Sequence, residues 1–284
     1  MNFSMYSKFA RGIRDNGIES MAKYAHSLGF SSVEFFEFIG KNWQEVVPSV
    51  ETAKEFRRIL ETYGLTVACY SVAVGLYDAS SPDGIDHNAE QTLMRYAERA
   101  AVLGSPYLHH TITLGCPTDL PYQKMLKTVL PAVVRVAKDA QTLGVTCIYE
   151  DQGFYFNGVE GFREFFEAVK AEEPSVGVCG DVGNTYFVDE SSVDFFRVYA
   201  EHIRHVHIKD YVIRPTAERG TDVSRGGTHL KECVVGTGIV DIPACLQILK
   251  DVGYMGAFAL ENGHEEDYAM GVAAAFKLIN HHFL

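Results

Sequence analysis

Four apolar, β-rich runs each end in or carry a side chain that could do chemistry: VTCIYED ends in Glu150, VGVCGD in Asp181, IRHVHIKD carries His207, and AFALENG ends in Glu261. Strand side chains alternate between faces, so Glu150 shares a face with Thr146 and Ile148, Asp181 with Gly177 and Cys179, and Glu261 with Ala257 and Ala259. Such compact faces can point into a closed barrel. Three carboxylates and an imidazole gathered at one end of it would resist joint ionisation, because like charges in a poorly solvated site repel. A divalent cation resolves the conflict. Oxygen-rich ligands with one imidazole suit Mn2+ or Mg2+, while Zn2+, Co2+ and Fe2+ are also compatible, so the expected cofactor is one divalent metal ion. A single charged strand end ordinarily faces solvent or an arginine, but four on successive strands are poorly explained that way.

Other polar residues fall near the same ends. His109 and His110 close another β-rich run, and alternation lets one of them point inward; His109 is the better choice for a substrate contact. His205 shares the face of His207 one layer deeper, where a structural hydrogen bond is expected. Lys209 lies on that face nearer the mouth and could hold a carbonyl oxygen or a phosphate. Arg214 opens a long polar segment and could clamp a polyhydroxylated or anionic ligand. Glu34 is read as ending the second strand where VEFFE begins to turn, a rim carboxylate that could bind substrate, with Phe38 and Trp43 on the following loop placed to cover an apolar sugar face.

These residues need a frame to bring them together. Short β-rich runs alternate with longer stretches of helical period from end to end, which predicts parallel strands joined by crossover helices. The strands are expected at 2–6, 32–38, 65–72, 107–113, 145–150, 176–181, 203–209 and 257–261. Helical stripes such as Ala53, Phe56, Leu60 and Tyr63, or Met125, Val129, Val133, Val136, Ala140 and Leu143, would each bury one face against the sheet. An open doubly wound sheet would carry a glycine-rich phosphate turn after its first strand, and here that strand is followed by Ser7, Lys8 and Phe9. The expected fold is therefore a (β/α)8 TIM barrel, whose chemistry sits at the C-terminal ends of its strands. The segment 211–235, with RGTDVSRGGTH, is too polar and glycine-rich for the core and is read as an active-site loop.

At 284 residues, 47% hydrophobic and 22% charged, the chain suits one such barrel spanning residues 1–284, without a linker. Its net charge of −12 repels polyanions, so nucleic acid is not an expected partner. The start, MNFSMYSKFARG, has no apolar core of signal-peptide length, and no window reaches membrane-spanning length. Six cysteines are scattered without a CxxC pair, as in a reduced compartment, and a cytoplasmic location without membrane attachment is expected.

The series YED, GDVGN, HVHIKD and ALENG resembles the xylose isomerase-like TIM barrels of the sugar phosphate isomerase/epimerase group, over most of the chain. GTGIVDIPA resembles the turn that leads into the seventh helix of that group, and Glu34 matches a recurrent VE. The resemblance implies that Glu150, Asp181, His207 and Glu261 ligate the metal, with Glu150 and Glu261 also the acid/base pair. It implies an isomerase or epimerase of a small sugar, ketose or keto-polyol, working by proton transfer through a metal-bound enediolate. The alternative is a dehydratase or lyase on a keto-inositol or keto-glycoside. Many relatives place a histidine where this chain has Asn184, an amide that can bind a substrate hydroxyl but ligates transition metals poorly. That departure and the acidic balance count against an endonuclease IV-like DNA repair enzyme. A non-catalytic sugar-binding barrel would have lost metal ligands, and all four are present. The expected partner is thus a small carbohydrate, with homo-oligomer formation left open.

Overall fold

The runs of period two and the longer helical stretches become strands and helices in the computed structural model, which describes residues 1–39, 45–261 and 268–283. In chain order come Asn2–Met5 (β1), Ser7–Asn16 (α1), Ile18–Ser27 (α2), Ser32–Phe38 (β2), Val50–Thr62 (α3), Thr66–Ala73 (β3) and His87–Leu103 (α4). There follow Tyr107–His110 (β4), Tyr122–Thr142 (α5), Thr146–Glu150 (β5), Val159–Glu172 (α6), Gly177–Asp181 (β6), Ser192–Tyr199 (α7) and Ile203–Ile208 (β7). The remainder is Tyr211–Arg214 (β8), Thr221–Val223 (β9), His229–Glu232 (β10), Ile242–Asp251 (α8), Ala257–Leu260 (β11) and Tyr268–Phe283 (α9).

Strands β1 to β7 and β11 pair in parallel and close into a barrel in the order β1-β11-β7-β6-β5-β4-β3-β2, the expected TIM-barrel arrangement. Helices begin where side chains can accept orphan amides: Ser49 takes Thr52 N at 3.1 Å and Asp86 takes Ala89 N at 2.9 Å. They stop where the backbone can turn left-handed, as at Gly104, whose φ of 78° closes α4. The stripe on α5 is buried from Met125 to Ala140, while Leu143, expected to extend it, is exposed at the helix end. Strand β4 stops at His110 rather than Thr113, because the Thr111 side chain takes the Val74 amide and donates to its carbonyl, both at 2.6 Å.

The main apolar core lies between barrel and helices, and a second, small cluster of Cys69, Ile148 and Cys179 lies apart from it with Tyr107 packed against it. Barrel interiors are normally filled by layers of bulky branched side chains. Here the side chains of Glu34, Ser71, His109, Glu150, Asp181, His205 and His207 are also buried, and each must find a partner within the barrel. Irregularities in the ladders help to aim them: the β2/β3 register shifts between Val33 and Glu34, and the β6/β7 register between Val178 and Cys179. All six cysteines are free, four of them buried.

The segment 211–235 departs from the expected irregular loop. It forms a three-stranded antiparallel sheet in the order β8-β10-β9, separate from the barrel, with Leu230 buried beneath it. Tyr211 and Leu230 are buried in this sheet, while Ile213 is exposed. Its tip is pinned to the barrel, since Asp189 accepts from Ser224 Oγ and Gly226 N, both at 2.6 Å, and Arg225 reaches Phe154 O at 2.5 Å.

Past β7, the Asp210 carboxylate accepts four backbone amides: Tyr211 at 2.9 Å, Gly236 at 3.0 Å, Gly238 at 2.8 Å and Val240 at 3.1 Å. Gly238 is required by this approach, because a Cβ there would lie 2.2 Å from Asp210 Oδ1. Asp210→Ala would orphan all four donors at a cost of about 1–3 kcal/mol for each one kept from water. With the two glycine amides partly solvated, a loss of about 3–5 kcal/mol is expected, read from the midpoint of urea unfolding. Among the described residues, no helix is long and apolar enough to cross a membrane.

Candidate metal centre

Four strands deliver the acidic cluster to one end of the barrel: Glu150 from β5, Asp181 from β6, His207 from β7 and Glu261 just after β11. One ligand atom from each lies within 4.8 Å of the others. His207 Nδ1 is 2.5 Å from Glu150 Oε1, 3.6 Å from Glu261 Oε2 and 3.9 Å from Asp181 Oδ2. Lys209 Nζ stands 2.9 Å from both Asp181 Oδ2 and Glu261 Oε2. Asp181 Oδ1 is held by the amides of Gly183 at 2.7 Å and Asn184 at 2.9 Å, which turns Oδ2 toward the cluster.

Proton affinities follow from this crowding. Burial, reinforced by Glu150 and Glu261 and opposed by Lys209, pushes the Asp181 carboxyl up to about 8. Burial would raise Glu150 as well, but His207 and His109 outweigh it and bring its carboxyl down to about 2. Burial works against charge on His207 and on Lys209, yet Cys179, Glu34 and Glu150 hold the first, and Asp181 and Glu261 the second, well above their ordinary values. Three carboxylates thus share two cationic side chains, and Asp181 is the one that keeps its proton near neutrality. Hard oxygen donors with one imidazole fit a divalent ion in that position.

The remaining expected site residues divide. Glu34 is not at the rim: it is third in β2, which continues to Phe38, and its carboxylate lies in the barrel interior under His207, at 0% exposure. The Glu37 carboxylate, further along β2, is buried and accepts from the Val46 and Val47 amides and the Tyr70 hydroxyl. His109 points inward, 3.7 Å from Glu150, while His110 packs edge-on against Tyr149. His205 hydrogen-bonds Glu34 at 2.7 Å. Asn184 is buried near Asp181, and its Nδ2 has no hydrogen-bond partner among the described residues. Lys209 is buried and engaged by two carboxylates rather than waiting at the mouth. Arg214 is not brought to the cluster: β8 carries it outward, where it pairs with Glu218 at 3.1 Å. Phe38 is half-buried at the end of β2, and Trp43 lies outside the described residues.

Three neighbours were not singled out from sequence. The Tyr6 ring stacks on His207 with centroids 4.7 Å apart, Ser71 joins Glu34 to His109, and Asp151 Oδ1 accepts the Asp181 amide at 3.1 Å. The signals were present but weak: Tyr6 directly follows β1, Ser71 shares the alternation of Cys69, and Asp151 adjoins Glu150. Beside Glu150 and His109 opens a cavity of about 340 Å3, lined also by Thr111, Thr113, Gln152 and Phe154.

Solved structures share this architecture. L-ribulose 3-epimerase is 16% identical, with 100% of this chain and 95% of that one covered at a TM-score of 0.75. D-psicose 3-epimerase with D-tagatose, from Clostridium cellulolyticum H10, is 17% identical, with 100% and 99% covered at a TM-score of 0.73. A xylose isomerase-like TIM barrel protein from Mycobacterium smegmatis in complex with magnesium is 15% identical, with 100% and 98% covered at 0.69. Comparison with curated protein sequences gave no match. The family model described as xylose isomerase-like TIM barrel matches residues 22–279, and the chain belongs to that family.

Proposed function

We propose that the protein is a divalent-metal-dependent isomerase or epimerase of a small, unphosphorylated sugar-like compound with a carbonyl beside a hydroxyl. The observation that carries the reading is the convergence of Glu150, Asp181, His207 and Glu261 within 4.8 Å at one end of the barrel. The kinship with sugar epimerases and with a magnesium-bound barrel supports it. Glu150, Asp181, His207 and Glu261 would hold the ion, with Mg2+ or Mn2+ best suited to their oxygens. A bound divalent ion supplies Lewis acidity that polarises the substrate carbonyl and acidifies the adjoining C–H bond.

The chain's own groups do the proton transfer. Glu150, whose carboxyl is held low by His207 against the effect of burial, can take a proton from the carbon α to the carbonyl. Glu261, oriented by Lys209 at 2.9 Å, stands in the same cluster to act as its partner. One carboxylate removes the proton and the other returns it; return from the opposite face inverts the centre. The reading of an unphosphorylated substrate rests on the cavity, because its described lining includes no lysine or arginine. A phosphate there would meet Glu150 without a compensating cation.

Turnover of a panel of ketoses, keto-inositols and hydroxypyruvate in D2O tests the reaction. Solvent deuterium is expected at the carbon α to the carbonyl of the product. Product free of label would instead indicate an internal hydride shift or a shielded proton, and release of water would indicate the dehydratase alternative.

A further inference from the structure

Beneath the candidate metal centre, the pattern of donors and acceptors determines where the protons of three histidines must sit. Glu34 is fully buried, and its carboxylate meets His205 Nε2 at 2.7 Å, His207 Nε2 at 3.0 Å and the Ser71 hydroxyl in a short contact. Its two oxygens are shared among these three neighbours, each able to donate, and the Ser71 hydroxyl donates to Oε1. The single hydroxyl hydrogen of Ser71 is thereby committed. Ser71 Oγ also lies 3.0 Å from His109 Nδ1, and with its own hydrogen engaged it can only accept there.

His109 must therefore carry a proton on Nδ1. An Nε2–H here would be drawn onto the buried Glu150 carboxylate, yet Nε2 makes no hydrogen bond to it, as expected of a bare nitrogen. That atom is buried, has no hydrogen-bond partner among the described residues, and lies 3.7 Å from Glu150 Oε2. Two acceptors stand side by side, and both residues line the 340 Å3 cavity. A group able to donate a hydrogen completes the pair, whereas a carboxylate or phosphate oxygen would add a third acceptor.

We propose that Glu34 and Ser71 form a buried relay that fixes His109 as the Nδ1–H tautomer, so that its Nε2, beside Glu150 Oε2, receives a hydroxyl of the bound ligand. Ser71 and Glu34 are positioning residues, and His109 selects a hydroxyl over an anionic group. The relay reads the same carboxylate in two directions: the His207 Nε2–H that Glu34 accepts turns Nδ1 of that ring to the metal cluster. The hydroxyl-receiving role rests on the proposed use of this cavity by a sugar-like ligand; the tautomer does not.

The test is 15N NMR of histidine-labelled protein at neutral pH, with His109 assigned by loss of its signals in His109→Asn. The expected spectrum has His109 protonated at Nδ1 and bare at Nε2; a proton on Nε2, or on both nitrogens, overturns the relay. Ser71→Ala should move the proton to Nε2 and Ser71→Thr should restore it, a pattern that a merely space-filling Ser71 would not produce. Titration with D-tagatose should shift the His109 Nε2 signal, and Ser71→Ala should weaken that binding about five- to tenfold, the worth of one hydrogen bond. An unmoved Nε2 signal overturns the hydroxyl-receiving role. Absence of turnover across the sugar panel counts against the proposed function and leaves the tautomer result standing.

Discussion

Glu261→Gln is expected to lower kcat by about 10²–10⁴-fold while leaving the barrel folded, because an amide cannot accept or return a proton at working pH. Glutamine keeps the shape of the side chain, and its carbonyl oxygen can still ligate a hard cation and accept from Lys209. The position is tolerant, since Glu261 is partly exposed and its described ion pairs, with Lys209 and His207, lie on one side of the cluster. The melting temperature should therefore stay within a few degrees of the parent. Turnover must be measured with metal content determined on the same sample, because lost occupancy would mimic a lost base. Near-normal kcat at full occupancy would show that Glu261 moves no proton.

Metal removal should affect both stability and activity. At a free ion concentration of one hundred times Kd, binding adds about 2.7 kcal/mol to folding stability. For a chain of this size that is a rise in Tm of roughly 5–10 °C, reversed by a chelator together with loss of turnover. Elemental analysis should give one ion per chain in the parent and little in Asp181→Ala, which removes the oxygen facing the cluster. The pH dependence has a definite sign. The Asp181 carboxyl is raised to about 8 and His207 well above its ordinary value, so at lower pH each holds a proton that the ion must displace. Affinity should fall as pH drops below about 8, by roughly tenfold per unit for each proton displaced. Equal affinity at pH 6 and pH 8, or no rise in Tm with Mg2+ or Mn2+, would count against a metal held by these four residues.

Period-two alternation placed Glu150, Asp181, His207 and Glu261 on faces that a closed barrel turns inward, and the structure brings all four together. That inference needs only local geometry, because a strand ending in a carboxylate delivers it to the barrel mouth whatever its neighbours are. Glu34 was misplaced for the same reason. Alternation assigns a face but not a depth, and the register shift between Val33 and Glu34 lies where the depth is decided. Arg214 was expected at the site because a polar, glycine-rich segment reads as a loop; pairing of β8 with β10 carries it away.

The sequence by itself determined the eight barrel strands in order, the barrel they form and the four strand-end residues, since each depends on periodicity within a few neighbouring positions. Tertiary structure alone decided which donors meet which acceptors. Glu34 reaches His207 across 173 positions, Ser71 reaches His109 across 38, and Lys209 reaches Glu261 across 52. Such pairs have no sequence period, because their separation is set by how far around a closed barrel two strands lie. A buried carboxylate in a sequence shows its charge, but the protons its neighbours must give it become visible only when the barrel closes.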